Sequence, residues 1–98
     1  MKTIYRSKNW LAAVGQIEQC VLCSRWGTQV AHRNELKGMG VKTDDCATAA
    51  LCPECHYEID NGCHLEKEER RRLMNKAIVL TVIELARRGL INPAVIKG

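Results

Sequence analysis

A small α+β fold is what this 98-residue sequence predicts, and three features predict it. Two CxxC pairs, Cys20/Cys23 and Cys52/Cys55, stand 28 residues apart. Two short strand-like runs lie at 28–32 and 47–51, and a long helical pattern fills 66–88. A chain of this length makes one domain, 1–98, with little room for two separate cores. The organised centre is expected at about 18–64.

Taken in order, Ser7 is suited to cap a short helix reaching about Gln16. Trp10, Leu11 and Val14 lie on one face of it and Gly15 lies near its end. Cys20-Val-Leu-Cys23 followed by Ser24-Arg-Trp-Gly27 has the shape of a zinc knuckle, a tight turn whose amides face the thiolates. Thr28 to His32 alternates apolar and polar residues and suits a strand. Residues 33–45 are polar and glycine-bearing, with Gly38-Met-Gly40, and read as a loop long enough to be functional. Ala47 to Leu51 is the second strand. Pro53 opens a helix carrying His56, Glu58, Ile59 and Asp60, and Asn61-Gly62 stops it.

The long helix, about 66–88, has glutamates in its first turn, Arg87 and Arg88 in its last, and Gly89 beyond, as the helix dipole favours. Its second half, Ile78 to Ala86, is apolar on more than one face. Such a helix is either sandwiched within its own domain or shared with a second copy, so a homodimer through it is one expectation. The tail, Leu90 to Gly98, is expected to be loosely ordered.

Composition narrows the class. The chain is 46% hydrophobic and 27% charged, with 6 Cys, 3 His and no Phe. No leader-like apolar run begins it and no apolar stretch is long enough for a bilayer, so a cytoplasmic protein without membrane contact is expected. Thiols stay reduced in that compartment and clustered cysteines usually hold metal; three disulfides in an exported domain are the alternative. The formal net charge is +4. Four zinc-bound thiolates would lower it to about +2, too mild to argue for nucleic acid by itself. Two basic clusters matter more: Lys2, Arg6 and Lys8, then Arg70, Arg71, Arg72 and Lys76. They read equally well as phosphate-binding surfaces or as solvated faces near Glu66, Glu68 and Glu69.

Each CxxC places two thiolates on one side of a turn, and together Cys20, Cys23, Cys52 and Cys55 fill a tetrahedron for Zn²⁺. That set leaves no open position, so the zinc is structural. Free thiols or a redox CxxC would not account for the motif occurring twice. Cys46 and Cys63 are left over, either as replacement ligands or as ordinary small residues. His56 and Asp60 are four apart on a helix and share a face, a grip for a second divalent cation such as Mg²⁺. His32 ends a strand that the zinc fastens against the same helix. A cation that polarises a phosphate and an imidazole that takes a proton from water make the chemistry of phosphodiester hydrolysis. Against these stand plainer readings: His32 packed under the zinc, His56 bonded to a zinc thiolate, and Asp60 at the surface. His64 is expected to be exposed, and Trp10 and Trp26 to lie in the core.

The order CxxC, Val30-Ala-His-Arg-Asn34, a glycine-bearing loop to Lys42-Thr-Asp-Asp45, then Leu51-Cys-x-x-Cys-His-x-Glu-Ile-Asp60 resembles a known family. It is similar to the Cys₄ branch of HNH (ββα-metal) endonucleases, and more narrowly to small phage and prophage nucleases related to the Ref recombination nuclease. The resemblance covers about 18–64. It implies a ββα-metal, treble-clef-like core, a structural zinc, and metal-dependent cleavage of DNA in recombination or processing. A recombination protein such as RecA is a candidate partner, and the need for one is left open by the sequence. By the resemblance His32 matches the general base, His56 the ligand directly after the last zinc cysteine, and Asp60 the second helical ligand. Ala31 stands where many members carry a ligating Asp or His, and Ala47 near the place of their central Asn. Asp45, as partner of the metal or the imidazole, and Asn34, as a polar orienter, are expected to serve instead. With fewer ligands the cation would be weakly held and keep more waters. The competing function class is a zinc module that binds nucleic acid or a recombination protein without cutting.

Overall fold

The computed structural model describes residues 4–33, 43–62 and 65–97. Their elements are α1 (Lys8–Gly15), β1 (Gln29–His32), β2 (Thr48–Leu51), α2 (Pro53–Asn61), α3 (Lys67–Arg87) and α4 (Pro93–Lys97). The fold is a small α+β arrangement, in which one two-stranded antiparallel sheet sits among four helices.

Helix α1 starts at Ser7, whose Oγ accepts a hydrogen bond from the Trp10 backbone N–H at 2.9 Å. It buries Trp10, Ala13 and Val14, spaced three and four apart as one helix face requires. Gln29 pairs opposite Leu51 and His32 opposite Thr48. Side chains alternate across a strand pair, so the ribbon feeds two clusters. Ala31, Ala49 and Leu51 pack with Ile59 of α2 and with Met74 and Ala77 of α3. Val30 and Ala50 pack with Trp10, Val14, Ile17 and Leu85. Both faces of the ribbon are covered and every residue of β2 is buried. This explains why β2 reads Thr-Ala-Ala-Leu without alternation: it has no solvent face on which to place polar side chains.

The outer edge of β2 is closed by side-chain and loop contacts. The Val21 N–H donates to Ala50 O at 3.1 Å. Thr81, buried in the middle of α3, accepts from the Ala50 N–H at 3.2 Å and donates to Ala77 O at 2.8 Å. Thr81→Val keeps the volume but leaves that amide unpaired. A loss of about 1–3 kcal/mol is expected, read from the denaturant midpoint; an unchanged midpoint would contradict this role.

Helix α3 buries a single stripe, Met74, Ala77, Thr81 and Leu85. Its broad apolar half is therefore divided, one side against the sheet and another, with Val79 and Ile83, at the surface. It ends at Gly89 (φ 70°), where the Leu90 N–H reaches back to Leu85 O at 2.9 Å. Two expectations are corrected. The tail is not loose, because Asn92 Oδ1 accepts from the Ala94 and Val95 N–H groups and Pro93 opens α4. Ser7 and Asn9 of the α1 region then bond to Val95 O and Ala94 O. Trp26 is not in the core but 67% exposed, because its backbone is held in a short bridge with Gln19 at the rim of the molecule. Among the described residues, no helix is long and apolar enough to cross a membrane.

Candidate metal centre and imidazole–carboxylate pairs

The first CxxC sits in a tight hairpin. Cys20 N–H donates to Arg25 O at 2.8 Å, Ser24 N–H to Cys20 O at 2.8 Å, and Gly27 N–H to Glu18 O at 2.9 Å. Positive φ at Ser24 (66°) and Gly27 (91°) makes the turn. The second CxxC straddles the junction of β2 and α2. Cys52 is the N-cap of α2, its Sγ accepting from the Cys55 N–H at 3.4 Å, with Pro53 in the first turn.

The four sulfurs lie within 4.8 Å of one another, and Cys23 Sγ is 3.5 Å from Cys52 Sγ. A tetrahedral zinc with bonds of about 2.3 Å has sulfur–sulfur edges of about 3.8 Å, so the cluster suits a structural zinc. Cys20, Cys23, Cys46, Cys52 and Cys55 are free thiols, which removes the disulfide alternative among the described residues. Cys46 is not in the cluster; it packs in the second core, where burial and the Asp44 carboxylate push its thiol up.

With no cation bound, burial favours neutral thiols at two of the four positions. Burial raises the Cys52 thiol, and burial together with the neighbouring sulfurs raises Cys55 well above its ordinary value. Burial opposes ionisation at Cys20 too, yet backbone N–H groups of Cys52, Cys23 and Leu22 bring it down to about 7. Four thiolates cannot share this volume unless a positive ion offsets their repulsion.

Beyond the sulfurs, the structure brings the predicted groups together in two pairs. His32 Nε2 lies 3.0 Å from Asp45 Oδ1. Asp45 is buried and also accepts from the Ser7 N–H at 2.8 Å and from Arg6 at 3.0 Å. The His32 side chain is 37% exposed. With Nε2–H donating to the carboxylate, Nδ1 is the basic nitrogen of that tautomer. Asp45 thus lies against the imidazole, one of the two partners the sequence suggests for it, while Arg6 and Ser7 come from a segment that carries no signal for this pairing. Burial pushes the Asp45 carboxyl up, but hydrogen bonds from His32, Ser7 and Arg6 outweigh it and hold the group below its ordinary value. A depressed carboxyl stabilises the fold above its unfolded pKa and loses that contribution as pH falls through the folded one. Acid unfolding below about pH 4 is therefore expected to shift in Asp45→Asn, whose stability should be nearly flat there relative to the parent. Parallel acid limbs for the two proteins would contradict it.

The second pair is on α2. His56 Nε2 lies 3.2 Å from Asp60 Oδ2, and His56 Nδ1 lies 2.8 Å from Gln29 Oε1 on β1. Nothing in the sequence around Gln29 marks it as a partner of His56. An Nδ1–H donated to its carbonyl fixes the ring and turns the Nε2 lone pair toward the carboxylate, an arrangement that suits a divalent cation between them.

The two pairs are not brought together. Gln29 and Ala31 leave β1 toward α2 and α3, whereas Val30 and His32 leave it on the other face. His32 is thus turned to Asp45 and the segment before α1 and not toward His56, contrary to the facing arrangement expected from the sequence. Ala31, buried between, offers no ligand. Among the described residues the cysteine cluster is the one group of three or more converging metal-ligand side chains. Asn34, Cys63, His64 and the Gly38-Met-Gly40 segment lie outside the described residues. Comparison with protein-family models, with curated proteins and with solved structures finds no match.

Proposed function

We propose that this chain is a zinc-stapled, metal-dependent endonuclease of the HNH type, hydrolysing DNA phosphodiester bonds in recombination or processing of phage DNA. The observation that carries the reading is a half-exposed imidazole, His32, oriented by the buried Asp45 carboxylate 3.0 Å away. Such a pair is what a general base needs: a fixed tautomer, a free basic nitrogen, and access to water. In the proposed reaction His32 Nδ1 takes a proton from a water molecule as its oxygen forms a bond to phosphorus. The bond from phosphorus to the leaving sugar oxygen breaks, and that oxygen is protonated by solvent. Asp45 stabilises the imidazolium without taking the proton. His56 and Asp60 would hold a divalent cation on the opposite face of β1, where its charge would draw in the DNA backbone and not the phosphate that His32 serves. Gln29 would keep the His56 ring in place. The zinc on Cys20, Cys23, Cys52 and Cys55 would fasten β1 to α2 and take no part in the chemistry.

The second reading is a zinc module that binds nucleic acid without cutting it. The separation of His32 from the His56–Asp60 pair favours it, as does the missing ligand at Ala31. Relaxation of supercoiled plasmid by the zinc-loaded protein, with and without Mg²⁺ or Mn²⁺, separates the two. Cation-dependent nicking supports the nuclease; retained DNA binding with no nicking under either metal overturns it.

A further inference from the structure

We propose that Arg6 forms a phosphate-binding site beside His32, gripping the phosphodiester that the imidazole serves; the inference rests on the nuclease reading but is tested separately. Arg6 precedes α1, and its side chain is 45% exposed. Its NH1 donates to Thr43 O at 3.1 Å and to Asp45 Oδ1 at 3.0 Å. The same Oδ1 lies 3.0 Å from His32 Nε2. The guanidinium and the imidazole therefore meet on one oxygen, within the span of two hydrogen bonds.

A guanidinium has five N–H donors in a rigid fork, and the NH1 contacts occupy two of them. The other three have no partner among the described residues. That fork matches two oxygens of a phosphate, which a point charge such as an ammonium cannot do. Asp45 is the counter-charge of Arg6, and its carboxylate also accepts from Ser7 and His32, so it engages one edge of the guanidinium only. Asp44 is turned to the Tyr5 N–H at 3.3 Å, and Lys8 is exposed two residues further on. Backbone pairing keeps the arginine in place, since the Asp45 N–H donates to Tyr5 O at 2.9 Å. An anion on this fork lies beside the edge of the His32 ring that is bonded to Asp45. The site also offers guanidinium donors on the His32 face of β1, which the His56–Asp60 pair, on the opposite face, does not.

The test titrates the zinc-loaded protein with inorganic phosphate and follows the His32 ring signals by NMR. The parent is expected to show a saturable shift of His32, and Arg6→Gln to lose it while keeping its zinc and its fold. If Arg6→Gln does not fold, Arg6→Lys takes its place and is expected to keep the charge but bind phosphate more weakly. A His32 signal that ignores phosphate in the parent overturns the site, as does an equal shift in the parent and the variant. On DNA, Arg6→Gln is expected to cut ~10²–10³-fold more slowly, the effect of removing one donor to a developing charge. A parent that binds phosphate at His32 yet never nicks DNA supports this site and overturns only the nuclease reading.

Discussion

Cys52→Ser is expected to yield protein that is unfolded or insoluble and carries no zinc. The side chain has three places in the structure: candidate ligand in the cysteine cluster, N-cap of α2, and fully buried member of the first core. Serine is a good N-cap and nearly the same size, so the substitution removes chiefly the metal bond. A structural zinc is worth on the order of 10 kcal/mol, comparable with the whole stability of a small domain. This chain has little else to fall back on. Its strands supply Ala31, Ala49 and Ala50 to the two cores, and it has no phenylalanine. Zinc analysis and a thermal melt check the result. A Cys52→Ser protein, or a metal-stripped parent, that melts as cooperatively and as high as the zinc-loaded chain would contradict it.

What could be read from the sequence was what local chemistry dictates. The twin CxxC spacing, the Ser7 cap, Pro53 opening α2 and Gly89 closing α3 all depend on residues within a turn of one another, and their spacing carries the information. The Asn92-Pro93 step carries the same kind of signal, but the five-residue helix it opens is too short to show a period. Long-range pairings left no such trace. Arg6 and Ser7 reach Asp45 across nearly forty residues, and nothing in either segment names the other. The face each imidazole takes was likewise hidden. A strand alternates, but whether Val30 or Ala31 looks toward α2 depends on which helix covers which side. Trp26 departs from its expected burial because apolar character predicts burial only on average, and the bridge to Gln19 holds its backbone beside the knuckle.

His32→Ala carries the largest expected change in activity. The imidazole is partly exposed, and its removal leaves Asp45 still bonded to the Ser7 N–H and to Arg6. The cysteines that could hold zinc are other residues, so folding, zinc content and DNA affinity are expected to stay close to those of the parent. Loss of a general base typically costs ~10²–10⁴-fold in rate, and no other imidazole among the described residues is held against Asp45 to replace it. The most direct measurement is single-turnover nicking of supercoiled plasmid by the zinc-loaded parent and by zinc-loaded His32→Ala, side by side in Mg²⁺. The account predicts nicked circles from the parent and a rate lower by two to four orders of magnitude from the variant. Equal rates from the two proteins would contradict it.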